Sequence, residues 1–458
     1  MEKYTTFFIG IILMAAAICF TACDGFVEVD RPNSQLTSAA VFESVTTGNA
    51  AVADLYAQLR EDSPFTGKSF GTSLSLGVYA DEMDFYGGGP SAQFYNNSVL
   101  ASNSAIESSW NESYNIIYST NMVLARTHDS ALPATSKEQF TGEALFIRSL
   151  LHFSLASVFG DVPYVTGVDY NQNNQVTRTS YAIVMQNIVT DLQQAIELLP
   201  EDYATPDRAR ANKTAAQALL ARVYLYNGQW AEAADMASAV INNSALYSFE
   251  SDISNTFLRG SSSTILQLAS AYEGHNTDEA PVFIITSGPP TTIALSAGLL
   301  SAFEPGDLRR QSWVGEVSSG PDTWYYPYKY KQRDDTGSSL EFSILFRLAE
   351  QYLIRAEARA RQGELSAAKS DLDAVRTYAG LAPTTAASQD ALLQAILAER
   401  RVELFSEYGH RFFDLKRFGK LDEVLGTKPG WSATDALLPL PQSELLVNPF
   451  LAPQNPGY

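Results

Sequence analysis

Helical periodicity is the first feature of the hydrophobic pattern along the chain. Between positions 106 and 124, large side chains recur every three or four residues, which places them on one side of a helix. They are Trp110, Tyr114, Ile117, Asn121 and Leu124. A second helix is predicted over 138–159, ending at Gly160, and a third over 180–199, ending at Pro200. The residues expected on the inner face of the third are Ile183, Val184, Ile188, Leu192 and Ile196.

The middle of the chain contains an internal repeat. Residues 218–240 (ALLARVYLYNGQWAEAADMASAV) align with residues 353–375 (LIRAEARARQGELSAAKSDLDAV) when Gly228 is set against Gly363. Further matched positions are Ala221 with Ala356, Trp230 with Leu365, Ala233 with Ala368, and Val240 with Val375. Each copy is predicted to be a helix, a left-handed turn at glycine and a second helix, as in tetratricopeptide repeats. Two unrelated alanine-rich hairpins are the alternative.

Two long segments, 63–103 and 246–339, lack this periodicity. They are rich in Ser, Gly, Pro and Thr, with short β-like runs at 264–268 and 282–286. We therefore predict a mostly α-helical domain over 41–458. Tetratricopeptide-like helical hairpins form its scaffold, and long irregular, loop-rich insertions contain short β segments. Long ordered loops on a rigid scaffold often hold binding sites, so ligand contacts are expected in these insertions.

The amino terminus is predicted to be a targeting segment. Lys3 precedes an uncharged apolar stretch over 7–20, which is shorter than the ~20 residues that cross a bilayer, and two small residues then precede Cys23. This pattern predicts a lipoprotein signal peptide over 1–22, lipidation of Cys23, and a polar tether over 23–40. An ordinary cleaved signal peptide is the alternative, although no small-x-small cleavage site follows the apolar stretch.

Charge and cysteine content restrict the partners. The chain has 51 acidic and 31 basic residues, a net charge of −20. Such a surface repels phosphate backbones and anionic lipid, so nucleic acid is not expected and membrane attachment should come from the lipid alone. The two cysteines are Cys19 and Cys23, which leaves the mature body without thiol chemistry.

No catalytic pattern is found in the sequence. The four histidines lack metal-site spacing, and His152, inside an apolar helix, is expected to be a core residue. A nucleophile elbow and a phosphate-binding loop are both missing. Asp81, Glu82 and Asp84 could coordinate calcium, but they lack EF-hand spacing. The sequence therefore predicts no enzyme activity, no metal and no cofactor.

Aromatic residues in the two insertions are candidates for ligand contact. Residues 324–330 read WYYPYKY, and residues 85–95 read FYGGGPSAQFY. Tyr and Trp offer rigid, flat apolar faces with a polar edge, on which the C–H patches of sugar rings can stack. Aromatic clusters are also common in cores and protein interfaces, and that alternative stays open. The predicted ligand-binding residues are Asp81, Phe85, Tyr86, Trp313, Trp324 and Tyr326.

Four extended motifs resemble those of the SusD/RagB family of Bacteroidetes outer-membrane lipoproteins. They are EALFIRSLLHFSLASVFGDVPYV from Glu143, KTAAQALLARVYLYNGQW from Lys213, LAERRVELFSEYGHRFFDLKRFG over 397–419, and LLPLPQSELLVNPFLAPQNPGY from Leu437. The charges within 397–419 are interpreted as ion-paired structural groups, and a catalytic role for Glu399, Glu403 or Asp414 is not expected. The family's ligand site is expected in the loops.

The resemblance implies a nutrient-binding lid on the outer face of the outer membrane. Such proteins cap a SusC-like TonB-dependent transporter and capture oligosaccharide or, in some members, peptide. The helical hairpins would face the transporter, and the ligand would bind on the loop-rich side. A protein-interaction scaffold without a small ligand, and a surface glycoside hydrolase, are the competing hypotheses.

Overall fold

The computed structural model describes residues 40–458, where α-helices predominate and strands are short. The helices are α1 Val45–Glu61, α2 Thr72–Tyr79, α3 Pro90–Tyr95, α4 Ser104–Asp129, α5 Ala134–Phe159, α6 Tyr170–Asn173, α7 Tyr181–Leu198, α8 Lys213–Tyr226, α9 Trp230–Ile241, α10 Glu279–Phe283, α11 Ala297–Leu300, α12 Leu308–Ser312, α13 Leu348–Arg361, α14 Leu365–Tyr378, α15 Gln389–Glu403, α16 His410–Arg417, α17 Leu421–Leu425 and α18 Gln442–Val447. The strands are β1 Met83–Phe85, β2 Thr264–Leu268, β3 Ile293–Leu295, β4 Val314–Ser319, β5 Asp322–Pro327 and β6 Ser343–Arg347. The predicted signal peptide, Cys23 and nearly all of the predicted tether lie outside the described residues.

The helical scaffold is a series of neighbours in chain order. Helices α4, α5, α7, α8, α9, α13, α14 and α15 each pack against the next. Helix α5 lies at the centre, since every residue from Gly142 to Phe159 is buried. Among residues 40–458 it is also the one helix long and apolar enough to cross a membrane, but its apolar window is wholly enclosed by the protein, as in a core helix. The predicted mostly helical fold is confirmed.

The three periodic segments are helices close to the predicted bounds, but one inner-face assignment was wrong. Val184, Ile188 and Leu192 of α7 are fully buried, whereas Ile183 is 52% exposed. The buried stripe continues through Met185 and Ala195. At 100° per residue, Ile183 lies roughly 140° around the helix from the middle of this stripe, so it points away from the core.

The internal repeat is confirmed at the level of backbone hydrogen bonds. After α8, the amides of Gly228 and Gln229 donate to the carbonyls of Leu225 and Tyr224, at 3.3 and 2.9 Å. After α13, the corresponding amides of 363 and 364 donate to the carbonyls of 360 and 359, at 3.1 and 2.9 Å. The two glycines have φ of +71° and +82°, and the matched alanines and valines are buried in both copies.

This turn gives a test of the repeat. Replacing Gly363 with alanine should destabilise the protein by about 1–2 kcal/mol, because an L side chain is disfavoured at positive φ even where space is open. The control is Gly337→Ala, which also has open space but no positive φ. Chemical denaturation measures the free energy of unfolding of both variants. An equal loss in the two would show that the positive φ of Gly363 is not what makes its substitution destabilising.

His152 is a core residue, as predicted. It is fully buried, its Nδ1 lies 3.0 Å from the carbonyl oxygen of Arg148, and its Nε2 accepts from the amide of Val165 at 3.1 Å. The two contacts fix a neutral ring with the proton on Nδ1. Burial lowers the pKa of His152 to about 3, and the Arg148 charge adds to the effect.

His152 should therefore make stability fall in acid. The unfolded chain takes up a proton at this ring near pH 6.5, whereas the folded chain does so only near pH 3, so stability is lost as pH falls between these values. The expected slope attributable to His152 is about 1.4 kcal/mol per pH unit between about pH 6 and 4. Denaturation across this range should show a shallower slope for His152→Gln. His128→Gln, at a side chain 87% exposed, should keep the wild-type slope.

The two insertions are more structured than predicted. The first includes α2, β1 and α3, and the second includes α10, α11, α12 and the four strands β2, β3, β4 and β5. The strand predicted at 264–268 is β2, which pairs antiparallel with β6. The β prediction for 282–286 was wrong, because α10 extends to Phe283 and no named strand follows until β3.

The carboxylates and arginines of the 397–419 motif are ion-paired, as interpreted, whereas Lys416 has no carboxylate partner among the described residues. Arg309, fully buried, binds Glu399 at 2.6 Å and Glu403 at 2.8 Å, and Glu403 also binds Arg347. Arg400 binds Asp414 at 2.7 Å. Although burial disfavours its charged form, Arg347 and Arg309 hold the pKa of Glu403 below its usual range. These carboxylates are paired with arginines, which joins α15 to α12 and β6 and also joins α15 to α16.

Candidate functional site

The two insertions meet through strand pairing. Strand β1 of the first insertion pairs antiparallel with β3 of the second, with Phe85 opposite Ile293. The amide of Tyr86 extends the pairing by donating to the carbonyl oxygen of Thr292 at 2.8 Å. The segment before β3 then reaches the β4–β5 hairpin: a Cβ built on Gly288 would lie 2.5 Å from the Trp324 ring. Gly288 and Thr292 are four positions apart in the chain, so their Cα atoms lie within about 14 Å of each other.

Trp324 and Tyr326 share one face of the β4–β5 hairpin. Side chains two residues apart on a strand point the same way and lie about 7 Å apart. Strand pairing sets Tyr326 opposite Gly315, and a Cβ on Gly315 would lie 2.4 Å from the Tyr326 ring. Glycine is thus required for the ring to lie flat across β4. Both aromatic side chains are half-buried, so each presents part of its surface to solvent.

Tyr86 is more exposed than Phe85, Trp324 or Tyr326. It is 48% exposed and follows β1 directly, while Phe85 is half-buried with its ring close to Gly87. Partial burial and the nearby Asp84 raise the pKa of Tyr86, which keeps its phenol neutral and able to donate a hydrogen bond. We call Phe85, Tyr86, Trp324 and Tyr326 the aromatic surface.

One neighbour of the aromatic surface, Lys428, was not singled out from the sequence. The Tyr95 hydroxyl donates to Asp84 at 3.2 Å, and the Lys428 ammonium lies 5.0 Å from the centre of the Tyr95 ring. Lys428 donates to the carbonyls of residues 78–80 at the end of α2, at 2.5–3.1 Å. A lysine near the carboxyl end of a helix is favoured by the helix dipole. Only the fold brings Lys428 to β1, because more than 300 positions separate them.

Asp81 has structural partners. Arg411 donates to both of its carboxylate oxygens, at 2.6 and 3.0 Å, and Arg401 donates to one at 2.6 Å. Although burial disfavours its charged form, these arginines hold the pKa of Asp81 below its usual range. The contacts anchor the start of β1 to α15 and α16, so we leave Asp81 out of the proposed binding surface.

Trp313 lies in the core, which corrects the expectation that it is exposed. Its side chain is fully buried, packs edge-to-face on Phe257 with ring centres 5.3 Å apart, and donates its indole N–H to the carbonyl oxygen of Ile253 at 3.2 Å. Phe94, in the 85–95 segment, is likewise 3% exposed. Burial on this scale leaves neither ring a free face for a ligand in this conformation.

The three carboxylates of residues 81–84 do not face a common site. Glu82 is buried, and burial raises its pKa to about 8, while Asp81 is held by arginine and Asp84 faces Tyr95. Within residues 40–458, no three His, Asp or Glu side chains are placed to hold a metal ion.

Comparison with known proteins identifies relatives along nearly the whole chain. A family model described as "Starch-binding associating with outer membrane" matches residues 26–225, and one described as "SusD family" matches residues 315–458. A SusD-like protein of Formosa agariphila is 27% identical, with all of both chains covered.

Solved structures share the fold. A SusD superfamily protein of Bacteroides vulgatus superposes with a TM-score of 0.77 at 21% identity, covering 91% of this chain and 100% of that one. A structure titled "Laminarin binding SusD-like protein" also has a TM-score of 0.77, at 25% identity, covering 90% of this chain and 99% of that one.

Proposed function

Because this chain belongs to the SusD/RagB family of non-catalytic binding proteins, we propose that it binds an oligosaccharide on the aromatic surface. The observation behind this proposal is the meeting of the two insertions, in which β1 pairs with β3 just before Tyr86 and the segment before β3 contacts Trp324. Half-exposed rings of this kind can stack on the apolar faces of successive sugar units. The laminarin named for one structural relative and the starch named for the family support a sugar ligand.

The charge around the aromatic surface favours a neutral ligand. Asp84 lies beside Tyr86, and Glu316 is close enough to Tyr326 to contribute to its raised pKa, after burial and Tyr328. The whole chain has a net charge of −20. Sulfated or uronic-acid-rich glycans would be repelled at this surface, so neutral oligosaccharides are the expected class.

We further propose that the protein works at the cell surface as a lid for a SusC-like TonB-dependent transporter in the outer membrane. The lipid on Cys23 would be the attachment. The helical scaffold offers the face for the transporter, because the aromatic surface lies on the inserted strands. The outer-membrane association named for the family supports this location.

The lipid anchor has its own test. Replacing Cys23 with serine removes the acylation site and should move the protein from the membrane fraction into the soluble fraction, since the mature chain has a strongly acidic surface that does not bind anionic lipid. Fractionation of cells expressing both forms measures the shift. Retention of Cys23→Ser in the membrane would contradict lipid as the sole anchor.

Binding and catalysis are separated by one set of titrations. Calorimetry with the mature chain and neutral oligosaccharides, a sulfated glycan and peptides should show saturable binding to a neutral oligosaccharide, and the sugar should be recovered uncleaved. Release of reducing sugar would favour the hydrolase, and binding of peptide alone would replace the sugar proposal. Association with a transporter but no binding of sugar or peptide would leave the interaction scaffold.

A further inference from the structure

A cavity lies between α5, α7, α16 and the carboxy-terminal segment 453–456, away from the inserted strands. Its volume is about 580 Å³, within the range of roughly 300–1,000 Å³ common for small-molecule sites. None of its lining residues belongs to the aromatic surface or to the two insertions. The proposed oligosaccharide site does not account for it.

The walls of this cavity are largely aromatic and aliphatic. Tyr181, Tyr226, Phe413 and Leu437 line it, and the Tyr226 and Phe413 rings lie 6.1 Å apart between centres. Burial raises the pKa of Tyr181 to about 12, so its hydroxyl stays protonated. A flat apolar body would find contacts on several sides here.

The Lys416 ammonium in the wall has no counter-ion. The Lys416 ammonium donates to the carbonyl oxygen of Ser157 at 2.9 Å, and within the described part of the chain no carboxylate lies within 4.0 Å of it. Its neighbour Arg417, by contrast, is balanced by Glu357 and Asp414. Burial lowers the pKa of Lys416 to about 8, as expected for an ammonium removed from water without an anion beside it.

A second polar group in the wall lacks a partner. Ser157 is 5% exposed, and its hydroxyl oxygen has no hydrogen-bond partner among the described residues. Buried hydroxyls are nearly always paired, so this hydroxyl has a hydrogen bond left to donate, although its oxygen is closed to solvent and would have to turn about the Cα–Cβ bond to reach an acceptor in the cavity.

The remaining polar groups of the cavity are already occupied. Arg178 donates to the carbonyl oxygens of Asp161 and Pro453 and to the side-chain oxygen of Asn455, at 2.6–2.8 Å. The carboxylate of Asp161 accepts from the amide of Tyr181 at 2.8 Å. These bonds hold the carboxy-terminal segment as one wall and leave Lys416 as the open polar contact, with the enclosed Ser157 hydroxyl in the same wall.

We propose that this cavity is a binding site for a small organic acid. The carboxylate of the acid pairs with the Lys416 ammonium and accepts from the Ser157 hydroxyl, and its flat body lies against Phe413 and the two tyrosines. The site is independent of the oligosaccharide proposal, because it shares no residue with the aromatic surface.

Binding of two acids and their neutral counterparts tests this proposal. Benzoate and glucuronate represent an aromatic acid and a sugar acid, and benzamide and glucose match them without the charge. In calorimetric or ligand-observed NMR titrations of the mature chain, at least one acid should bind at least tenfold more tightly than its neutral counterpart. The acid that binds more tightly shows whether the ligand of this cavity is an aromatic acid or a sugar acid.

Variants then locate the binding. Lys416→Met should weaken the preferred acid at least tenfold, while Lys420→Met, at a solvent-facing pair with Glu423, should leave its affinity unchanged. Ser157→Ala is a second variant that keeps the charge and should weaken binding to a smaller degree. Failure of both acids to bind, equal binding of acid and neutral form, or wild-type affinity in Lys416→Met would each overturn the proposal.

Discussion

Replacing Trp324 with alanine is expected to weaken oligosaccharide binding about ten- to hundredfold. Covering a large aromatic side chain contributes about 1.5–3 kcal/mol, and each 1.4 kcal/mol is about tenfold in Kd. Trp324 shares a strand face with Tyr326 and contacts the segment that leads to Tyr86, so it sits at the middle of the aromatic surface. Calorimetry with the best-binding oligosaccharide measures the loss.

Tyr325 provides the matched control for this substitution. It is half-buried on the same strand, but its side chain points to the opposite face, where the Arg310 guanidinium lies 4.6 Å from the ring centre. Tyr325→Ala should therefore alter the hairpin without altering the affinity. Equal loss of affinity in both variants would indicate damage to the hairpin, and no loss in Trp324→Ala would place the ligand elsewhere.

Replacing Arg309 with methionine is expected to lower the free energy of unfolding by about 3–5 kcal/mol. Removing one member of a buried ion pair leaves uncompensated charge in the core, which is what costs this amount. Arg309 is fully buried and faces Asp307, Glu399 and Glu403, at 2.9, 2.6 and 2.8 Å. Denaturant unfolding gives the change directly.

Denaturant unfolding of a variant at an exposed ion pair provides the comparison. Lys420 and Glu423 lie 2.8 Å apart, but the glutamate side chain is 68% exposed, so Lys420→Met should cost no more than about 1 kcal/mol. A loss in Arg309→Met as small as that of Lys420→Met would contradict the structural role assigned to the 397–419 motif.

Local patterns were enough to predict the helical scaffold. Periods of three and four residues marked α4, α5 and α7, and the offset between Gly228 and Gly363 marked two hairpins whose turns have the same hydrogen bonds. These features depend on neighbours within a few positions in the chain, which sequence records directly. Ile183 was wrongly assigned to the inner face of α7. A step of one residue turns a helix by about 100°, so Ile183 points to solvent although its neighbour Val184 is buried.

The candidate site is formed by contacts between distant segments of the chain, which cannot be read from the sequence. Trp313 and Trp324 both lie in or beside an aromatic-rich insertion, yet one packs on Phe257 in the core and the other on Gly288 near the surface. Nor does sequence show that Asp81 is held by two arginines more than 300 positions away. Burial and pairing of this kind are decided by which distant segments meet.

The pairing of β1 with β3 connects the two insertions that contribute to the proposed binding surface. It brings Tyr86 from one insertion to the segment beside Trp324 in the other, while the ion-paired α15–α16 region anchors the start of β1 through Asp81. A rigid helical scaffold therefore holds loop-borne aromatic side chains in place, which reduces the entropy lost when a ligand binds. That arrangement suits capture of a sugar without chemistry on it.

The proposed site is tested by a crystal structure of the mature protein with its best-binding neutral oligosaccharide. We expect sugar rings within about 4.5 Å of the exposed faces of Trp324 and Tyr86, with the glycosidic bonds intact. An oligosaccharide bound elsewhere on the protein, with both aromatic faces uncovered, would contradict it.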